Sequence, residues 1–496
     1  MPNLLKDIDF GNEAGDDADP VDLATYFVEQ SAFLKFLRPE NKVLAATAKK
    51  GVGKSALLQW TAYNLANADK DAIVIKCRGA DLVRSKFGLT NSLVTPNDHI
   101  RDWMIRLCTL VNRELALRMN YAISDDKITL IETAELDGYK SRNLVGCLID
   151  RFDRILGDKQ PRKLRGPDEV QLLKRVNDRK VWILIDDLDA TYQNTEKESL
   201  ELSTFFSACR YLTQDLKGVF FRTSMRTDVW SLIRRYDESL DKMEQYVFDI
   251  LWSQEDFLRL LYLRIKSQIE KSGGALPAVP TYVSEQDAEE RLLERVFVPK
   301  MQWGEKMVDT YKVIYTLSYE RPRWAIQLCK LAQTSALQHR RDLITKEEID
   351  LVWGEYGSKR IADLVAEHKH QCPQIEELLN GFRGAVRLMP RGELFAWIKN
   401  RILNHLNPWI EGKNIRTPIE VARFLYRLGF ILARSDSESG YEHYRFDQMP
   451  DFLSSRTNDD FGLAWEIHPC YREALDIQKI DRSHREKFSQ MRKGRK

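Results

Sequence analysis

The first half of the chain alternates short, fully apolar runs with segments whose apolar residues recur at helical spacing. The apolar runs predict strands at residues 43–46, 72–75, 181–185, 219–221 and 246–251. The helical spacing predicts helices at residues 22–36, 55–66 and 198–214. Strands that are apolar at every position, separated by helices, are typical of a parallel sheet with helices on both faces. The pattern therefore predicts an α/β core.

The second half changes to a largely helical pattern, which continues from residue 253 to about residue 367. Beyond it, short helices are followed by short β-runs, predicted at residues 391–403, 418–428, 431–433 and 443–446. That order fits a winged helix. We therefore expect a flexible lead-in, an α/β core, a helical lid, a winged-helix-like domain and a basic tail, at residues 1–20, 21–252, 253–367, 368–475 and 476–496.

The 496 residues carry 76 basic and 74 acidic side chains, for a formal net charge of +2. That balance is too even to indicate a nucleic-acid partner by itself. The cysteines are scattered without a C-x-x-C pair, which is typical of reduced thiols in a cytosolic protein. The acidic N-terminus does not resemble a signal peptide, and no apolar run reaches about 18 residues. We therefore expect a cytoplasmic protein without a membrane span.

The most specific motif stands between a predicted strand and a predicted helix and reads Ala48-Lys49-Lys50-Gly51-Val52-Gly53-Lys54-Ser55. That context is expected of a phosphate-binding P-loop. Glycines allow successive backbone N–H groups to point at phosphate oxygens, and the following helix adds its positive end. We predict that this loop, continued to Ala56, binds a nucleotide, with Lys54 on the β- and γ-phosphates and Ser55 on Mg²⁺. Ala48 replaces the usual first glycine, which a small side chain allows.

A second motif follows the strongest predicted strand and reads Ile183-Leu184-Ile185-Asp186-Asp187-Leu188-Asp189. Acidic side chains at the end of a buried strand are unfavourable unless they have partners or a role. On a strand adjacent to the P-loop strand, Asp186 is expected to hold Mg²⁺ through water, and Asp187 to polarise the attacking water. The alternative is a strand that simply ends in an acidic turn.

A third segment is the polar end of the strand that starts at Val219, with the sequence Thr223-Ser224-Met225-Arg226. In this fold class such a strand end faces the γ-phosphate. Arg226 is the preferred sensor of that phosphate because a guanidinium binds oxyanions in a forked geometry. Thr223 and Ser224 are the other candidates. The alternative is a surface ion pair between Arg226 and Asp228.

The fourth segment, Glu320-Arg321-Pro322-Arg323, begins a predicted helix of the lid, where proline is favoured. An arginine at this place in a lid is predicted to reach over the nucleotide and to couple its state to the position of the lid. Arg323 is preferred to Arg321 for that role. The alternative is an ordinary capped helix with an exposed arginine.

In this order, the four motifs resemble those of the AAA+-related STAND and KAP groups of P-loop NTPases, especially bacterial ATPases of this kind encoded in anti-phage defence loci. The segment Tyr26-Phe27-Val28-Glu29-Gln30 is similar to the same bacterial set. The resemblance covers about residues 20–340. It implies ATP as the nucleotide, Asp187 as the catalytic acid, Arg226 as the first sensor and Arg323 as the lid sensor. One departure is Glu320, because STAND proteins usually place a glycine there.

The resemblance also implies an assembly. Such proteins usually form rings or lobed homo-oligomers in which a neighbour supplies an arginine, and Arg234 or Arg235 is the candidate here. An effector protein encoded nearby is the expected partner. The leading hypothesis is therefore an ATP-hydrolysing switch, regulatory or sensory, in bacterial anti-phage defence.

Two alternatives stay open. The first is an origin-recognition-like, DNA-binding ATPase or loader, whose C-terminal domain would contact nucleic acid. Its candidate phosphate contacts, which could equally be a solvated face, are Arg416, Arg423, Arg427 and Arg434. The second is a scaffold that binds ATP without hydrolysing it.

Overall fold

The structure is a computed structural model with two compact units, one formed by Ala14–Trp252 and the other by Met1–Glu13 together with Ser253–Lys496. We call them the first and the second unit. The residues that the structure describes are 4–83, 95–104, 106–107, 110, 180–190, 192, 195–215, 218–234, 238–274, 276, 284–436, 441–454 and 462–479. None of the helices in this described part is long and apolar enough to cross a bilayer.

The first unit is built on a parallel sheet. Its strands within the described residues are β1 (Val43–Thr47), β2 (Ile73–Arg78), β3 (Val181–Asp186), β4 (Val219–Met225) and β5 (Val247–Asp249). Their order in the sheet is β2-β3-β4-β1-β5, and every neighbouring pair is parallel. The predicted strands and the predicted α/β core are confirmed.

Helices cover this sheet, and each of its faces has its own apolar core. Alternate residues of one strand serve the two cores: Ile183 and Ile185 lie on one side, Trp182 and Leu184 on the other. This is why the strand is apolar at every position. Helix α1 (Leu4–Asp7) belongs to the N-terminal segment of the second unit. The helices of the first unit in the described residues are α2 (Pro20–Tyr26), α3 (Lys54–Ala68), α4 (Gly79–Val83), α5 (Glu196–Asp215) and α6 (Thr227–Ile233), with 3-10 turns at Phe33–Leu37 and Glu238–Tyr246.

The prediction of one helix over residues 22–36 is wrong. Helix α2 ends at Tyr26, and Phe27 is extended. The Phe27 ring stacks on Trp60 of α3, with 4.8 Å between the ring centroids, and also contacts Phe33. Aromatic packing onto α3 therefore overrides the helical spacing, and only a short 3-10 turn follows before β1.

A buried arginine joins that 3-10 turn to the sheet. Arg222 of β4 is fully buried, and its guanidinium donates hydrogen bonds to the carbonyl oxygens of Phe36, at 2.7 Å, and Arg38, at 2.8 Å. The same group lies over the Trp182 ring, 4.7 Å from its centroid. Burial lowers the pKa of Arg222 to about 9. Backbone carbonyls, rather than a carboxylate, thus stabilise this cation and fix the chain ahead of the P-loop strand.

The prediction of a flexible lead-in is wrong from residue 4 onward. Leu5 and Phe10 are fully buried in the second unit. Gln333 donates hydrogen bonds to the carbonyl oxygens of Leu5, at 2.7 Å, and Ile8, at 2.6 Å. Arg264 donates to the carbonyl of Asn12 at 3.0 Å. The acidic residues suggested a mobile segment, but the apolar residues between them pack and their carbonyls are paired.

The remaining helices of the second unit are longer. In the described residues they are α7 (Gln254–Lys271), α8 (Glu285–Leu293), α9 (Thr310–Leu317), α10 (Pro322–Gln338), α11 (Lys346–His368) and α12 (Ile375–Asn380). Helices without strands were expected from residue 285 to about residue 367, but strands β6 (Lys300–Trp303) and β7 (Lys306–Asp309) form an antiparallel hairpin there. Its turn contains Gly304 at φ +64°, which a glycine adopts without strain.

The C-terminal part combines short helices with an antiparallel sheet of order β12-β11-β13-β8. The elements in the described residues are β8 (Leu388–Pro390), α13 (Arg391–Trp397) continued by a π-helix (Ile398–Leu403), β9 (Trp409–Ile410), β10 (Lys413–Asn414), α14 (Pro418–Leu428), β11 (Ile431–Asp436), β12 (Tyr441–Tyr444), β13 (Ala464–Ile467) and a 3-10 turn at Pro469–Tyr471. The two expected helices and the β11–β12 hairpin are present. Strand β13, which pairs between β11 and β8, was not predicted.

Glu466 of β13 is a buried carboxylate that faces two arginines and a histidine. It lies 2.6 Å from Arg472, 3.1 Å from Arg434 and 2.7 Å from His443. Burial alone raises the pKa of Glu466, but the charge of Arg472 and hydrogen bonding to His443 outweigh it and hold that pKa well below its usual range. Arg434, a candidate for phosphate contact, thus already forms an ion pair with a carboxylate of this sheet.

Candidate nucleotide site

The predicted P-loop connects β1 to α3. Gly51 has φ +81° and Gly53 has φ +116°, conformations that side chains rarely adopt. Gly53 is the N-cap of α3, so the loop leads directly to the positive end of a helix. Ala48 is buried, and its N–H donates to the Met225 carbonyl at 3.2 Å. A small side chain therefore fits at this first position, where the β1–β4 pairing continues by one hydrogen bond.

Lys54 connects the loop to the acidic motif. Its side chain is only 7% exposed, and its Nζ lies 3.4 Å from the Ala48 carbonyl oxygen and 3.8 Å from Oδ1 of Asp187. The ammonium group thus lies between the first residue of the loop and the acid that follows β3. This is the position from which a lysine would meet an anion held by the loop.

The acids were expected on a strand adjacent to the P-loop strand. That prediction is wrong, because β4 lies between β1 and β3. This order brings a residue of β4 to the acids. The Ser224 hydroxyl donates to Oδ1 of Asp186 at 2.5 Å. The Asp187 N–H points to the same two side chains, at 3.0 Å from Oδ1 of Asp186 and 3.1 Å from Oγ of Ser224. Asp186 is therefore held in one orientation at the carboxyl edge of the sheet.

Asp187 occupies an unusual backbone conformation. Its φ is +46°, a left-handed value that aspartate and asparagine tolerate better than most residues. Its side chain is 55% exposed and faces Lys54. Partial desolvation by the surrounding protein raises the pKa of Asp187, the Lys54 charge opposes that shift, and the Asp186 charge reinforces it. A carboxylate with a raised pKa beside a cation and a second acid is a candidate catalytic base.

Arg226 pairs with a third acid. It lies beyond the end of β4, as the N-cap residue of α6, and its Nε donates to Oδ2 of Asp189 at 2.6 Å. Asp189 is buried, and the Arg226 N–H donates to the same carboxylate oxygen at 3.2 Å. The expected alternative partner, Asp228, is not the one found in this ion pair. Ser224, ranked behind Arg226 in the sequence, is the strand-end residue that contacts Asp186.

The arginines of the lid motif differ in their surroundings. Arg321 is buried, forms an ion pair with Glu367 at 3.0 Å, and lies over the Trp324 ring, 4.2 Å from its centroid. Arg323, one residue into α10, is half-buried, and it has no hydrogen bond or ion pair with a described residue. Arg321 is therefore engaged in the core, and the role of Arg323 as a sensor stays a prediction.

The glycine that the resemblance places before the lid proline is replaced by a residue in a glycine-like conformation. Glu320 has φ +59°, and Tyr319 before it has φ +53°. The Glu320 carboxylate pairs with Arg445, which follows β12. Gly429 makes room for Tyr319, because an added Cβ there would lie 2.0 Å from the Tyr319 hydroxyl oxygen. These contacts stabilise a backbone that would otherwise favour glycine.

Of the two candidate arginine fingers, only one lies in the described residues. Arg234 follows α6 with 52% of its side chain exposed, and it lies 3.4 Å from Glu244. Arg235 lies outside the described residues, as does the basic tail from residue 480 onward. The fingers therefore stay predictions.

Two glycines allow close approaches to this site, and the sequence analysis did not single them out. A Cβ on Gly79, directly after β2, would lie 2.2 Å from Cα of Leu188 and 2.7 Å from the Asp187 carbonyl oxygen. A Cβ on Gly15 would lie 2.6 Å from Cα of Ala56, in the first turn of α3. The position of Gly79 at the end of a strand was the available signal.

Gly79→Ala is expected to destabilise the first unit by about 1–3 kcal/mol, because the added methyl group must displace the backbone that carries the acids. Urea unfolding followed by circular dichroism measures this. The matched control is Gly354→Ala in α11, where an added Cβ meets no described atom within 4 Å. There the same substitution should stabilise by up to about 1 kcal/mol, since alanine is the better helix former. Equal effects of the two substitutions would contradict the close approach at Gly79.

The strand order, the left-handed glycines before a helix and the buried lysine facing strand-end acids define an α/β fold of the P-loop NTPase class. Comparison with known families adds one match, in the second unit: a family model described as the FunZ-associated C-terminal helical domain matches residues 258–365. This is a minority of the chain, so it does not assign a family to the whole. A search of curated proteins finds no match.

Several solved structures of archaeal proteins are similar along most of the chain. The ORC2 protein of Aeropyrum pernix, in ADPNP–ADP complexes, is 11% identical over 96% of this chain and 94% of its own, with a TM-score of 0.39. Cdc6p of Pyrobaculum aerophilum is 13% identical over 96% and 99%, with a TM-score of 0.31. A Walker-type ATPase of Pyrococcus abyssi is 10% identical over 84% and 94%, with a TM-score of 0.37. TM-scores below 0.5 are too low to support an inference, so the fold assignment rests on the geometry above.

Proposed function

We propose that this protein binds ATP with Mg²⁺ at the P-loop and hydrolyses the ATP, so that the nucleotide state acts as a switch. The observation that carries the proposal is the position of Lys54, buried and 3.8 Å from Asp187, at the end of a loop with two left-handed glycines. Asp186 lies at the end of β3, where the Ser224 hydroxyl of the neighbouring strand β4 donates to it at 2.5 Å. Lysine, loop and paired acids are the parts that phosphoryl transfer requires.

The residues fit this ligand. The N–H groups of the loop and the N-terminus of α3 suit phosphate oxygens. Ser55 and Asp186 offer hydroxyl and carboxylate oxygens, the ligands that Mg²⁺ prefers. When bound, Mg²⁺ neutralises charge on the β- and γ-phosphates. Lys54 would leave Asp187 for the phosphates, and Asp187 would then orient a water and accept its proton.

The setting of the switch is proposed from the sequence resemblance. We place it in bacterial anti-phage defence, as a homo-oligomer with an effector partner encoded nearby and a cytoplasmic location. Arg323 would report the nucleotide state to the lid. The winged-helix-like assignment of the C-terminal part also belongs to this proposal.

The alternative of DNA binding through the C-terminal part receives no support from its described contacts. Arg434 is paired with Glu466 and Asp436, and Arg427 lies 2.8 Å from Glu411. A residue that already pairs with a carboxylate gains less from a phosphate. Arg416 and Arg423 remain as candidates for that alternative.

The test is phosphate release by the purified full-length chain with ATP and Mg²⁺, with and without duplex DNA. We expect turnover that needs Mg²⁺ and does not respond to DNA. Stimulation by DNA would favour the origin-recognition-like alternative. Tight ATP binding without turnover would favour the scaffold, and absence of ATP binding would overturn the proposal.

A further inference from the structure

A tryptophan at the end of the first unit contacts the P-loop backbone. The indole N–H of Trp252 donates to the carbonyl oxygen of Val52 at 2.8 Å. The same ring lies beside the next residue of the loop, since a Cβ on Gly53 would be 4.0 Å from a ring carbon of Trp252. Val52 is buried, and Gly53 has φ +116°. The indole therefore contacts the peptide group between these two residues.

The orientation of that peptide group matters for an anion in the loop. The Val52 carbonyl and the Gly53 N–H belong to one planar trans peptide, so they point in opposite directions. If the carbonyl is held toward Trp252, the N–H of Gly53 is directed away from the indole. A peptide flipped at this glycine would instead present a carbonyl oxygen, which repels phosphate.

Trp252 is well placed to hold this peptide because its own position is fixed. The segment before it continues β5, where the Ile250 N–H donates to the Thr47 carbonyl at 2.8 Å. The Gln30 side-chain amide donates to the Leu251 carbonyl at 2.9 Å. The indole is thus attached to the edge of the sheet on one side of the loop, independently of any ligand.

We infer that Trp252 is a positioning residue of the P-loop, which selects the peptide orientation in which the Gly53 N–H faces the phosphates. The inference rests on the proposed function, because it assigns the phosphate site of that function. Trp252 acts on the loop backbone through its hydrogen bond to the Val52 carbonyl, and it is assigned no part in the chemical step. Its loss should weaken nucleotide binding and leave the chemical step intact.

The experiment compares Mg²⁺-ATP and Mg²⁺-ADP affinities, by isothermal titration calorimetry, of the wild type, Trp252→Phe and Gln30→Ala. Trp252→Phe removes the N–H donor and keeps an aromatic ring. We expect about tenfold weaker binding, as for the loss of one buried hydrogen bond, with kcat at saturating ATP within about twofold of wild type. Gln30→Ala removes a hydrogen bond to the backbone of the same segment and keeps the indole, and its affinities should stay within about twofold of wild type.

The outcomes distinguish a failure of the proposed function from a failure of the inference about Trp252. A wild type that does not bind nucleotide overturns the proposed function and this inference with it. A wild type that binds, together with an unchanged affinity in Trp252→Phe, overturns the inference alone. Equal weakening in Trp252→Phe and Gln30→Ala also overturns it, because the segment rather than the indole would then matter. Weakening confined to Trp252→Phe, with kcat retained, supports it.

Discussion

Lys54→Ala is expected to reduce the affinity for Mg²⁺-ATP on the order of 100-fold, enough to remove binding at ordinary concentrations. The reason is that its ammonium is buried and thus poorly screened by water, so its charge-assisted contacts with phosphate would be among the strongest in the site. Its Nζ lies 3.8 Å from Asp187, so the variant also removes the cation that faces this carboxylate. Calorimetric titration with Mg²⁺-ATP measures the loss.

Lys70→Ala is the matched control for this variant. Lys70 is exposed just beyond the end of α3, and its replacement by alanine changes the net charge by the same amount as Lys54→Ala. Its affinity should equal that of the wild type. If both variants weakened binding alike, the effect of Lys54 would be one of overall charge, and its assignment to the phosphates would be wrong.

Asp187→Asn is expected to lower kcat by about 100- to 1,000-fold while ATP binding stays within a few-fold of wild type. Asparagine keeps the shape of the side chain and tolerates the left-handed φ of +46°, so the backbone should not change. It cannot accept a proton from water. Phosphate release and calorimetry on the same preparation separate these effects. Asp228→Asn, with the same charge change at the start of α6, should retain turnover.

The pH dependence provides an independent check on Asp187. Burial raises the pKa of this carboxyl group, so it becomes protonated at a higher pH than an ordinary aspartate as the solution is acidified. Since this pKa belongs to the protein before it binds substrate, the kcat/KM of the wild type should fall on the acid side, and Asp187→Asn should lack that decrease. A raised pKa also means that the charged form is unfavourable in the fold. Asp187→Asn should then be at least as stable as the wild type at neutral pH. Retained turnover in Asp187→Asn would exclude Asp187 as the base.

The sheet could be predicted from the sequence because its strands are buried on both faces and appear as solid apolar runs. The P-loop was recognisable for a similar reason, since its glycines, lysine and serine follow in a fixed local order. Local order also led to Asp186 and Asp187. In each of these cases the information lies within a few consecutive residues.

Side-chain direction at the end of β4 could not be predicted in this way. Ser224 and Arg226 both stand close to the end of β4, and Arg226 was preferred as the sensor because a guanidinium binds oxyanions in a forked geometry. The strand continues to Met225, so Arg226 belongs to the start of the next helix and pairs with Asp189 instead. Which partner an arginine reaches depends on the position of β4 between β1 and β3, and that order is a property of the folded sheet.

Long-range contacts explain the other differences. Arg445, 125 positions away in the chain, stabilises the left-handed backbone conformation of Glu320. No local sequence pattern predicts that pair. The hairpin β6–β7 interrupts a helical region at Gly304, where the glycine was the only local signal. Phe27 leaves the helical spacing because Trp60 lies across from it. Such contacts depend on tertiary packing, which overrides local propensity.

The first thirteen residues have a consequence for how the chain is made. Leu5 and Phe10 precede the first unit in the chain, yet they belong to the unit whose other residues begin at Ser253. Gln333, which donates to the Leu5 and Ile8 carbonyls, is synthesised more than three hundred residues later. During translation the first unit can fold before the residues that contact this N-terminal segment have been synthesised. The second unit therefore completes its core only after residues on both sides of the first unit have been synthesised.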